Sequence, residues 1–199
     1  MTGERYVQIG RSLGFLFEEE ETGRHFFSVG NGMEQVEITE FEYRLWEELG
    51  KWTKLDDWKT YIRSEIKKYP DFNLDKVLNK FYTLNLIREW KFDTVEDPEL
   101  MNIFVTRNAY AYGEIEGQWV LGDHRIVGEN VMCTREGFTV WNAATGGAHL
   151  LQVLDTIMTK LSLSEEEALA LLTKEGYDFI RLGLWNTEYL PVLLEEEAE

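Results

Sequence analysis

The chain has 199 residues, 44% of them hydrophobic and 14% aromatic, enough for one large core or two small ones and too apolar for a disordered tail. Its formal net charge is −17, with 37 Asp and Glu against 20 Lys and Arg, whereas a duplex-binding surface needs a basic footprint. The single cysteine, Cys133, excludes an internal disulfide framework. No apolar run approaches the ~20 residues of a membrane span and Met1 to Arg5 lack a signal-peptide core, so a reducing cytoplasm is expected.

Short strands open the chain, with Val7-Gln8-Ile9-Gly10 followed by Gly14-Phe15-Leu16-Phe17. His25 to Val29 and Met33 to Ile38 flank Gly30-Asn31-Gly32 and predict a hairpin around an Asn-Gly turn. A helix starts after Thr39, where Thr39 and Glu42 make a capping box, and buries Phe41, Leu45, Trp46 and Leu49. A second helix runs from about Asp56 to Lys68, with Leu55, Trp58, Ile62 and Ile66 at helical spacing, and Pro70-Asp71 breaks the chain. A third helix, capped by Asn73, covers Leu74 to Leu84. Leu86 to Phe92 then reads as a closing strand, and Asp93 to Glu99, containing Pro98, as a linker.

The pattern then recurs. Phe81-Tyr82-Thr83-Leu84-Asn85-Leu86-Ile87 matches Phe179-Ile180-Arg181-Leu182-Gly183-Leu184-Trp185 at an offset of 98. Asn85 and Gly183 coincide, and these residue types tolerate the left-handed conformation that closes a helix. Upstream, Ser164 with Glu167 forms a second capping box opposite Asn73, opening a helix about two turns longer. Leu150, Leu151, Leu154, Ile157 and Met158 stand for the second helix, Phe138 and Trp141 for Phe41 and Trp46, and Gly146-Gly147 for Gly50. Tyr110-Ala111-Tyr112-Gly113 and Gly117-Gln118-Trp119-Val120 repeat the opening Gly-x-x-x-Gly spacing, read as bends in a strand meander. The common order of these matches points to duplication.

The expected fold is therefore α+β, with two tandem winged-helix-like units, each a short antiparallel strand meander followed by three helices. The first unit spans 1–93, a linker and approach segment 94–108, the second unit 109–194, and an acidic tail 195–199. Phe138-Thr139-Val140-Trp141, Gly146-Gly147, Leu151-Gln152-Val153-Leu154, Ser164-Glu165-Glu166 and Phe179 to Leu184 resemble the PqqD-type peptide-recognition module, and Phe41 to Ile87 follow the same outline. That resemblance implies binding of a peptide as an added strand in a groove beside a helix. The wider winged-helix class implies, alternatively, a third helix in a DNA major groove.

Partner-binding candidates are the strand residues Phe26 and Phe27 and the tryptophans near element ends, Trp52, Trp90, Trp119 and Trp185; a packed seam between the units would use the same tryptophans. Only residues 41–92 carry a net positive charge, +2, so a DNA-binding regulator would use Lys51, Lys54, Lys59, Arg63, Lys67, Lys76 and Lys80, unless these merely pair with nearby acids. His25, His124 and His149 lack metal-ligand spacing. Asp123-His124-Arg125 reads as a polar turn, Glu18 to Glu21 as a solvated loop, and Cys133 as an inert buried thiol. Phosphate loops and nucleophile elbows are absent. The expectation is a protein with no cofactor and no catalytic residue, recognising a protein or peptide partner.

Overall fold

The computed structural model describes residues 5–50, 55–65, 73–122 and 130–191. They form a mixed α and β architecture of small antiparallel sheets and helices. Strand β1 (Tyr6–Gln8) leads into a meander of β2 (Arg11–Glu19), β3 (Arg24–Asn31) and β4 (Glu34–Thr39). Helices α1 (Glu40–Leu49), α2 (Leu55–Glu65) and α3 (Leu74–Thr83) follow, and β5 (Ile87–Glu89) returns to pair antiparallel with β1. The closing strand is thus shorter than its sequence suggests, although Trp90 N–H still donates to Arg5 O at 2.9 Å.

After the short helix α4 (Pro98–Asn102) the same order returns. Strand β6 (Ile103–Arg107) precedes the meander of β7 (Tyr110–Ile115), β8 (Gln118–Gly122) and β9 (Val131–Cys133). Then come α5 (Arg135–Ala143), β10 (Ala148–His149), α6 (Leu150–Leu161), α7 (Glu165–Arg181) and β11 (Trp185–Tyr189). Strand β11 pairs antiparallel with β6, as β5 does with β1, and β10 adds to the other side of β6.

Local chemistry explains the matching boundaries. Thr39 and Ser164 each accept from the backbone N–H three residues on, and Glu42 and Glu167 accept in return from the capping residue's N–H at 2.9 Å. Asn73 caps α3 through its side chain, and Thr134 caps α5. At the far ends Asn85 (φ 53°) and Gly183 (φ 68°) take the left-handed conformation. Leu86 N–H then donates to Phe81 O, and Leu184 N–H to Phe179 O, both at 2.8 Å. This pair of Schellman closures turns each helix into its final strand.

Strand register identifies equivalent residues more sharply than the sequence did. Phe27 faces Ile38 and Trp119 faces Cys133, each partner lying one residue before a capping threonine. Beneath them Tyr43, and not Phe41, stands where Phe138 stands. Phe27 stacks on Tyr43 with ring centroids 4.5 Å apart, and Trp119 on Phe138 at 3.8 Å. Tyr43 then tilts against Trp46 at 5.9 Å, and Phe138 against Trp141 at 5.7 Å. Likewise Gly113 corresponds to Gly14 and not to Gly10. Both glycines follow a register shift, both have positive φ, and they face Val120 and Ser28.

Two apolar clusters result. The first contains Val29, Ile38, Trp46, Trp58, Phe81 and Leu86, and the second Val105, Val140, Trp141, Leu154, Phe179 and Trp185. The second also takes Val7, Ile9, Trp90 and Phe92 from the first half of the chain. The β1–β5 ribbon is shared, with Ile87 in one cluster and Val7 in the other, as the alternation of strand side chains requires. Buried polar residues reinforce the seam. Gly10 N–H donates to Thr187 O at 2.7 Å, Thr187 Oγ1 to Gln8 O at 2.6 Å, and Tyr189 N–H to Asn31 Oδ1 at 2.7 Å. Arg88 reaches Glu99 at 3.4 Å and lies over the Tyr189 ring at 4.2 Å.

Candidate binding groove

Beside α5 the second half opens into a groove of ≈ 610 Å³. The end of β6 supplies Arg107, the start of β7 supplies Tyr110 and Ala111, and α5 supplies Phe138, Trp141 and Asn142. Gly146 and Gly147 close one side with φ values of 80° and 89°; at Gly147 a Cβ would stand 2.5 Å from Phe104, so this turn needs glycine. The guanidinium carbon of Arg107 lies 4.7 Å from the Trp141 ring centroid, and Nη1 donates to Asn142 Oδ1 at 2.9 Å. Trp141 is itself buried and bonds Trp185 Nε1 through its carbonyl at 3.2 Å, fixing the floor.

The first half has the same frame and a different filling. Strand register sets Ser12 opposite Val29 where Ala111 is opposite Leu121, and Gln8 opposite Ile87 where Arg107 is opposite Trp185. On the helix, Tyr43 and Glu47 stand where Phe138 and Asn142 stand. Tyr43 Oη donates to Glu47 Oε1 at 2.8 Å and accepts from Ser12 Oγ, a bridge from strand to helix across this space. Burial, then the neighbouring Glu47, holds the Tyr43 hydroxyl above its ordinary pKa, so it remains a donor. Replacement of Ser12, Tyr43 and Glu47 by Ala111, Phe138 and Asn142 removes every member of the bridge, and the second half stays open.

Of the candidate residues read from the sequence, Trp119 lies nearest the groove, stacked on Phe138. Phe26 and Phe27 are half-buried on opposite faces of the first meander, Phe26 stacking on Phe17 at 4.9 Å. Trp90 and Trp185 are buried and meet at α7. A Cβ on Gly176 would come within 2.9 Å of Trp90 and 3.1 Å of Trp185, and Trp90 Nε1 donates to Thr173 O at 2.8 Å. These two tryptophans seal the seam and leave no face for a partner. Trp52, Lys51, Lys54 and Lys67 lie outside the described residues, as does His124.

Among the basic candidates Lys80 is held by Glu42 at 2.7 Å, Lys59 is half-buried, and Arg63 and Lys76 are exposed. A second open trough is lined by Arg24, His25, Thr39, Glu40 and Arg44, with His25 3.1 Å from Glu40 and Arg44 on the same carboxylate. Burial, with a contribution from Glu175, pushes the Cys133 thiol up to about 11. Among the described residues no group of three or more His, Cys, Asp or Glu is placed to hold a metal ion, and no helix is long and apolar enough to cross a membrane.

Sequence reasoning missed Arg107, Asn142 and Ala111. The signal was available once the halves were set in register: Gln8, Ser12, Tyr43 and Glu47 change together to Arg107, Ala111, Phe138 and Asn142. Comparison with protein-family models, curated proteins and solved structures finds no match to this chain.

Proposed function

We propose that this chain is a non-enzymatic recognition protein of two winged-helix-like units, and that its second unit binds an extended segment of a protein or peptide partner. The observation that carries the reading is the groove beside α5, open in the second half and crossed by the Ser12–Tyr43–Glu47 bridge in the first. An aromatic floor with a few convergent polar groups is the usual chemistry of a small binding site. Strand β7 runs along the groove as an edge of its sheet among the described residues, which suits a partner that adds as a strand. The first unit then serves as a scaffold, because its β1–β5 ribbon and the residues that follow these strands complete the core beneath α7. In this reading the protein acts in the cytoplasm and needs no cofactor.

Selection from a random peptide display library tests the proposal, with the combined variant Ala111→Ser, Phe138→Tyr and Asn142→Glu as the matched control. This variant installs the first half's bridge. Enrichment on the natural chain and none on the variant is the expected result; equal enrichment on both, or on neither, overturns it. The alternative, a DNA-binding regulator using the basic residues of the first unit, predicts salt-sensitive retention on heparin or random duplex. Complete flow-through excludes it.

A further inference from the structure

We infer that the groove selects a single side-chain carboxylate, that of an Asp or Glu set among apolar residues of the bound peptide. This rests on the proposed peptide-binding role and names what the site reads.

Three described arginines are half-buried: Arg88, Arg107 and Arg181. Arg88 faces Glu99 at 3.4 Å and Arg181 faces Asp178 at 3.5 Å. Arg107 faces no carboxylate among the described residues. Among the described residues no Asp or Glu lines this groove, and Arg107 is the one cation that does. Among the described residues one half-buried guanidinium of an acidic protein is thus left without a carboxylate.

The donors are already arranged. Arg107 spends Nη1 on Asn142 and rests its plane on Trp141. Its other N–H groups remain for a ligand, and a guanidinium offers a planar fork that matches a carboxylate in two-point contact. Asn142 turns its oxygen to Arg107, so its Nδ2 donors are left for the same ligand. Held on two sides, Arg107 loses little freedom on binding. The walls beside it, Phe138 and Tyr110, accept apolar neighbours. A net charge of −17 around Arg107 repels a second acid, so acidic runs are poor ligands.

The test uses the full chain and a display library of random heptapeptides flanked on both sides, so that no free terminal carboxylate is presented. Selected sequences are resynthesised acetylated and amidated. The expected sequences share one Asp or Glu between apolar residues. Converting that acid to its amide weakens binding about 10- to 100-fold, the range for a hydrogen-bonded charged group. Arg107→Gln produces the same loss, and the two changes together lose no more than either alone. Arg107→Lys recovers only part, lacking the fork. Asn142→Asp guards against a folding defect. It supplies the missing carboxylate from within, leaves the fold intact and abolishes acid-dependent binding. Sequences enriched without an acid, or unchanged binding by Arg107→Gln and Asn142→Asp, overturn the inference while leaving peptide recognition standing. Absence of any enriched sequence removes both.

Discussion

Trp90→Ala tests whether the two halves fold as one body. Trp90 follows the last strand of the first half, is 1% exposed, and sits in the core of the second half against α7. Removing a fully buried tryptophan costs about 3–5 kcal/mol, from lost transfer energy and the cavity left behind. That is a large share of the ~5–15 kcal/mol that stabilises an ordinary domain. Trp90→Phe keeps most of the packing, but it loses the 2.8 Å bond to Thr173 O and part of the ring, and about 1–2 kcal/mol with them. Urea unfolding followed by far-ultraviolet circular dichroism gives the totals. Amide hydrogen exchange then shows where the loss falls. The shared seam predicts faster exchange along α7, in the half that does not contain the mutation in sequence. Unchanged α7 protection beside a weakened first half would refute the seam.

Gly147→Ala should destabilise by roughly 2–4 kcal/mol, combining a left-handed backbone with a collision against Phe104, and a lowered melting temperature will read it. Cys133, with its thiol near 11, has about one thiolate in a thousand at pH 8, so native protein should resist alkylation until denaturant is added. Glu40, Glu136 and Glu167, each in a first helical turn, have lowered pKa values, caused first by Arg44 for Glu40, by its own backbone N–H for Glu136, and by the Ser164 backbone for Glu167. Their contribution is complete above the unfolded carboxylate value near 4.5 and disappears as pH falls through the lower folded values. Glu167→Gln should therefore flatten the part of the acid melting curve that belongs to α7.

What was legible in the sequence was local. The Schellman pair at Asn85 and Gly183 and the capping boxes at Thr39 and Ser164 depend on residues within one turn of each other, so spacing alone revealed them. Equivalence across strands was harder. Phe41 resembled Phe138 in type, whereas the stack on Trp119 or Phe27 selects Phe138 and Tyr43. The Gly-x-x-x-Gly spacing repeated at the wrong register, because Gly117 follows a turn residue at the hairpin tip while Gly10 approaches Thr187 of the other half. The groove was hidden for a different reason. It consists of a hydroxyl bridge that is missing, and an absence has no residue pattern until its filled counterpart is laid beside it.

The proposed partner binds in the second half's groove and not at its bridged counterpart. Titrating isotope-labelled protein with a selected peptide, and following the amide and indole resonances by NMR, tests it directly. Shifts are expected at Arg107 to Ala111, the Asn142 side-chain amide and the Trp141 indole, whose buried Nε1–H has no partner among the described residues. Shifts gathered around Ser12, Tyr43 and Glu47, with the groove silent, would contradict it.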